Sequence, residues 1–316
     1  MQQLIYLHNW KVELMNIKMQ FAEKPEKLSH DKWDLSFIGE AIDERGVKAL
    51  EYITANTSKN ISFEYIPKQF KTRFDSDTLD KDDIGKYLAF SNGQKVLVDS
   101  TTLNFAEILI LTQALIEVGV KDIEILYVEP VKYNRKSKGV DILHKRDFEL
   151  SEGIVGYEAI PGHALLVTNE ISQKVVFLCG FEAERIDRAL EDSQISGANC
   201  SCIFGVPAFS PGFEMDSFDN NISVIKERKI SGGINFCGAT NPLSVLQTLE
   251  EMFKGLDEDE QMFVVPLATK PMNIGACLFL LSKPKDKVAV LYDHPKEIKG
   301  KAIEIANWHL FNINLS

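Results

Sequence analysis

The sequence predicts an α/β protein built from two duplicated Rossmann-like units with mostly parallel sheets and a small β-rich connecting segment. Three observations carry this reading. Short, largely apolar runs rich in Val, Ile, Phe and Tyr alternate with stretches of helical period, as expected of strands covered on both faces by helices. Two segments about 140 residues apart match without a gap. The 316 residues, 45% of them hydrophobic, are enough for two cores.

Residues 1–30 read as an N-terminal helical extension, because Leu14, Ile17 and Phe21 fall at helical spacing. The first unit, 31–135, holds the strands LSFIG, ISFEYI, KVLVD and IEILYV, with helices over 44–54 and 105–119. The stretch Tyr133-Asn134-Arg135-Lys136-Ser137-Lys138-Gly139 reads as a basic solvated linker, with a local phosphate or nucleic-acid patch as the alternative. A connecting segment, 136–170, follows, and Pro161-Gly162 marks a turn in its β-hairpin or meander. The second unit, 171–316, holds VVFLCG, CSCIFGV, INFCG, MFVVPL and VAVLYD, with helices beginning near Glu182, Pro242 and Asn273.

The duplication is read from three pairs of segments. Ser36-Phe37-Ile38-Gly39 leads to Glu44-Arg45-Gly46-Val47-Lys48-Ala49-Leu50, and Val176-Phe177-Leu178-Cys179 leads to Glu184-Arg185-Ile186-Asp187-Arg188-Ala189-Leu190. Residues 95–102 pair with 233–241, and 122–128 with 261–265.

Composition excludes several classes of function. With 35 basic and 46 acidic side chains the net charge is −11, so a general role in coating nucleic acid is excluded, since phosphate binding needs a basic surface. The first residues lack the basic start and apolar run of a secretory signal. Apolar stretches such as 105–120 carry Glu107, Gln113 and Glu117 and fall short of the roughly 20 residues that span a bilayer, so no membrane association is expected. The five cysteines lack paired CxxC spacing, which opposes a disulfide framework or zinc site and favours buried thiols, Cys200 and Cys202 sharing one face of a strand. A cytoplasmic location follows as the expectation.

Candidate binding residues come from the loops at the carboxyl ends of the strands, where a parallel sheet opens toward helix N-termini that favour anions. These are Thr101 and Thr102 after KVLVD, Thr240 and Asn241 after INFCG, and Thr269 and Lys270 after MFVVPL. Thr240-Asn241-Pro242 also reads as a helix cap, and Lys270 as an exposed structural lysine. Arg185 is either a ligand contact or half of an ion pair linking the units, and Phe181 either stacks on a base or packs in the core. The loop 207–213 reads as a packed surface loop or a lid.

No nucleophile elbow, HExxH, Walker loop or GxGxxG occurs, so no catalytic residue, metal ligand or cofactor is assigned. His144, His163 and His294 read as surface histidines, and Tyr292-Asp293-His294-Pro295 closes the last strand near the crevice edge.

The turn Leu267-Ala268-Thr269-Lys270-Pro271-Met272, with the loop 235–242, resembles the Gly/Thr/Lys turn of the CRISPR-associated Rossmann fold (CARF) nucleotide-sensor domains. The resemblance covers about a dozen residues. It implies a nucleotide-binding regulatory protein, with Thr269 and Lys270 on phosphate or ribose, Thr240 and Asn241 on an adjacent nucleotide, and the site at the interface of a homo-oligomer. Ala268 stands where that family has glycine, and no effector nuclease is recognisable. The run Val96-Leu97-Val98-Asp99-Ser100-Thr101-Thr102 is similar to the diphosphate-sugar loop of phosphoribosyltransferases, although it is short and lacks glycines. The expected function is therefore a regulatory or sensor protein that binds a phosphorylated small ligand of the nucleotide class at the strand ends of the second unit. A phosphoribosyl or glycosyl transfer enzyme is the main alternative, and a non-catalytic scaffold for a protein partner is the next.

Overall fold

The computed structural model describes residues 15–134, 148, 150–166 and 171–315. They form a mixed α/β structure whose sheets are mostly parallel. The chain divides into two compact units, one comprising residues 15–133 with 299–315, the other 134–298.

In the first unit β2 (Trp33–Ile38), α1 (Glu44–Asn56), β3 (Thr57–Ile66), β6 (Val96–Asp99), α3 (Phe105–Glu117) and β7 (Asp122–Tyr133) follow the predicted alternation. The parallel strands lie in the order β7-β6-β2-β3. Antiparallel strands extend both edges: β4 (Lys71–Phe74) and β5 (Asp77–Leu79) beside β3, and β15 (Ala302–Leu315) and β1 (Met15–Ala22) beside β7. A short helix, α2 (Lys81–Leu88), precedes β6.

Local chemistry sets the helix boundaries. Asp43 caps α1 by accepting the Gly46 amide at 3.2 Å, and Asn104 and Glu107 form a reciprocal capping box on α3. Every residue of α3 from Phe105 to Ile116 is buried, as expected of a helix apolar on all sides.

The second unit is built on a five-stranded, wholly parallel sheet of β9 (Ser172–Cys179), β10 (Cys200–Gly205), β11 (Ile234–Cys237), β12 (Glu260–Pro266) and β13 (Val288–Val290). The strand order is β11-β10-β9-β12-β13, so the direction of winding reverses between β9 and β12. The crossovers are α4 (Ala183–Ser193), α5 (Phe213–Glu227), α6 (Pro242–Lys254) and α7 (Lys270–Ser282). Val175, Phe177 and Cys179 share one core with Ile186 and Leu190 of α4 and Val224 of α5, while the alternating Val176 and Leu178 are buried on the opposite face. Gly275 of α7 lies where a Cβ would collide with the Pro242 carbonyl, which allows α6 and α7 to approach closely.

Several expectations are corrected. Residues 15–22 form a strand rather than part of a helix, because Ile17, Met19 and Phe21 also alternate with polar residues and β15 supplies a full antiparallel partner. The C-terminal strand belongs to the first unit's sheet, not to the second unit. The connecting segment forms no hairpin of its own among the described residues: β8 (Ser151–Ile154) pairs with the distant β14 (Pro295–Glu297). The basic residues Arg135, Lys136 and Lys138, and His144, lie outside the described residues. His163 and His294 are buried rather than on the surface. The first pair of matching segments occupies equivalent places, each a strand beside the reversal and its first crossover helix. The second does not, because β6 adjoins β2 whereas β11 is an edge strand two places from β9.

Candidate functional site

Because the five strands of the second unit's main sheet run parallel, the N-termini of α4, α5, α6 and α7 gather at the carboxyl edge of that sheet. Unpaired amides and the helix dipole make that edge favourable to anions unless acidic side chains already occupy it. They do so on one side: Glu184 lies in the first turn of α4, and Glu214 and Asp216 in that of α5. The first turns of α6 and α7 carry no acidic residue, and α7 starts with Lys270.

The same two N-termini are brought together. The Thr269 hydroxyl donates to the Ala239 carbonyl at 2.6 Å, tying the loop after β12 to the loop after β11, and it also caps α7 on the Met272 amide. Asn241 caps α6 by accepting the Ser244 amide at 3.1 Å, and Thr240 beside it is half-buried. Four predicted residues, Thr240, Asn241, Thr269 and Lys270, therefore border one corner. The Lys270 ammonium lies 3.8 Å from the Glu297 carboxylate, and its side chain is only 17% exposed.

At the β9 end Gly180 sits so close to β12 that a Cβ there would meet the Leu267 carbonyl. The loops carrying Phe181 and Lys270 are thus in contact through their backbones. Phe181 stacks on Phe148 with ring centroids 4.1 Å apart, and Phe213 meets Phe181 edge-on at 5.5 Å.

Arg185 forms its ion pairs within the second unit rather than between units. Its Nε and Nη2 atoms donate to the two Asp293 oxygens at 2.6 Å each, and Nη1 lies 3.3 Å from Glu182, all within the second unit. Burial opposes the guanidinium charge, yet Asp293 and then Glu182 hold its pKa above the ordinary value. The matching Arg45 likewise turns inward, to Asp43 at 2.6 Å and to the Val128 carbonyl at 3.2 Å.

Thr101 and Thr102 are also engaged internally. Thr101 accepts the Val128 amide at 3.0 Å, and Thr102 donates to Asp99 at 2.6 Å while accepting the Gly39 amide at 2.8 Å. Asp99 is fully buried, so this loop closes the first unit's own reversal point between β2 and β6.

Three features had little signal in the sequence. Phe148 and Glu297 lie in segments without periodic pattern. The buried contact of His309 Nε2 with Glu129 Oε2 at 2.6 Å joins residues 180 positions apart beside an irregular stretch of the β7–β15 ladder. Asp293 stands nearer to expectation, since its position past the last strand of the second unit already pointed to the crevice edge.

No protein-family model matches the chain, and no curated protein matches it. Among solved structures the chain is similar to "Structure of A-type Ketoreductases from Modular Polyketide Synthase" at 13% identity and a TM-score of 0.21. That alignment covers 79% of this chain and 63% of the other, so the chain spans less than two-thirds of that neighbour's length.

Proposed function

We propose that this is a regulatory or sensor protein of two related Rossmann-like units, which binds a phosphorylated small ligand of the nucleotide class at the α6/α7 corner of the second unit. One observation carries the reading: two helix N-termini free of first-turn acids meet through the Thr269–Ala239 hydrogen bond, with Lys270 beside them. Such a corner offers amide donors and a positive end for phosphate, whereas the acid-bearing starts of α4 and α5 repel it. The Thr269 and Asn241 side chains already cap their helices, so ligand contact there falls to backbone amides, the Thr240 hydroxyl and Lys270. The CARF-like turn points to the same residues.

The test is a thermal-shift panel of mono-, di- and cyclic adenine and guanine nucleotides with phosphoribosyl diphosphate, followed by chromatography of each stabilising compound. A sensor is stabilised by a nucleotide that is recovered intact. At 100 times its dissociation constant such a ligand adds about 2.7 kcal/mol to the folded state. A compound consumed during incubation would replace the sensor with an enzyme, and a flat panel would reject the nucleotide site.

A further inference from the structure

The small β8–β14 ribbon and Phe148 just before it touch the carboxyl edge of the second unit's sheet at three points, one at Lys270 of the proposed site and two on the neighbouring loops that lead to α4 and α5. Glu297 of β14 sits on Lys270 at 3.8 Å. Ser151, its register partner on β8, donates to the Glu182 carboxylate at the start of α4 at 3.1 Å. Phe148, three residues before Ser151, stacks on Phe181 at 4.1 Å with an interplanar angle of 26° and lies edge-on to Phe213 at 6.0 Å. A carboxylate on the lysine and a flat ring in an aromatic slot are the contacts that the phosphate and base of a nucleotide would make.

The ribbon's two ends are held unequally. At its root Asp293 is fully buried against Arg185 with two 2.6 Å bonds, and the Tyr157 hydroxyl donates to the Arg185 carbonyl at 2.8 Å. At the Glu297 end, where the chain continues into β15, the register breaks between Lys296 and Glu297, one further backbone bond joins the Ile298 amide to the Leu150 carbonyl at 3.1 Å, and the Glu297–Lys270 contact is a long one. A two-stranded ribbon of this length is marginal alone, and its Glu297 end is the less strongly held of the two.

We propose that the β8–β14 ribbon together with Phe148 is an internal surrogate ligand, with Phe148 in the place of a base and Glu297 in the place of a phosphate, which a nucleotide must displace in order to bind. This regulation of the site rests on the ligand-binding reading above. Apparent affinity is scaled by the fraction of molecules in which these contacts are open, so weakening either contact raises affinity.

The experiment is titration calorimetry of the same nucleotide panel on wild type, Phe148→Ala and Glu297→Gln, with hydrogen exchange of the ribbon amides measured with and without the bound nucleotide. The expected results are an apparent dissociation constant about three- to tenfold lower in each variant, and faster exchange at the ribbon when nucleotide is bound to wild type. Glu297→Gln removes one charge from a partly exposed side chain, so it reports even if Phe148→Ala folds poorly. Unchanged or weaker affinity in the variants, with binding by wild type intact, overturns the surrogate while the ligand-binding reading stands. If neither wild type nor the opened variants take any nucleotide, both fall.

Discussion

Arg185 illustrates how a residue placed at a crevice can be taken up by the protein itself. Its partner Asp293 is fully buried, so truncating the arginine leaves an uncompensated charge in the interior. Arg185→Ala is expected to lower stability by about 3 kcal/mol in urea titration, and adding Asp293→Ala should recover part of that loss. Equal stability of wild type and Arg185→Ala would contradict this assignment. The adjacent His294 makes a second case. Its Nε2 donates to the Glu158 carbonyl at 3.0 Å, and burial holds its pKa below the ordinary 6.5. The unfolded chain therefore takes up the proton first as the pH falls. The contribution of His294 is present above about pH 6.5 and is lost as the pH falls toward the lowered native value. Denaturation midpoints at pH 7.5 and 5.5 should differ less in His294→Gln than in wild type. At this scale the sequence made Thr269 and Lys270 legible, because they stand between a strand and a helix. It hid the Arg185–Asp293 pair, whose members are 108 positions apart.

Among the elements, glycine substitutions separate packing from propensity. Gly275 in α7 has the Pro242 carbonyl where a Cβ would go, while Gly85 in α2 has no heavy atom within 4 Å of that position. Gly275→Ala should cost about 1–3 kcal/mol despite better helix propensity, and Gly85→Ala should add about 0.5–1 kcal/mol. Calorimetric melting of both variants checks the pair, and shifts of the same sign would contradict the close α6–α7 approach. The apolar strands were legible because burial on both faces leaves almost no polar positions. The helix α5 was not, since Asp216, Ser217, Asn220 and Asn221 are buried along it and break the apolar period. The Ser217 hydroxyl and the Asn221 amide both donate to the Gly180 carbonyl at 2.8 Å, fixing the loop that leads to Phe181. The strand β1 escaped for the opposite reason, because its apolar residues satisfied helical and strand periods over the same few positions.

For the whole molecule, alternating strands and helices were enough to indicate an α/β class, but strand order was not legible. Nothing local signals that β15 returns to pair with β1 and β7, or that β14 pairs with β8, because those partners are distant in the chain. All five cysteines are buried, and burial raises the Cys179 thiol's pKa well above its ordinary value, as does its contact with Cys202; burial also raises Cys200 to about 12. Native protein should therefore react slowly with an aromatic disulfide reagent, and all five thiols should titrate on unfolding. Rapid labelling of any one in the native state would contradict the core described for the second unit.

The central claim is that the α6/α7 corner takes a phosphorylated ligand. Titration of the nucleotide panel into wild type and Lys270→Ala tests it most directly, since that substitution removes the cation and also frees Glu297 from its contact. The account predicts a saturable isotherm in wild type that weakens at least tenfold in Lys270→Ala, about 1.4 kcal/mol. Equal affinity in the two proteins, or no heat from any nucleotide with either, would contradict it.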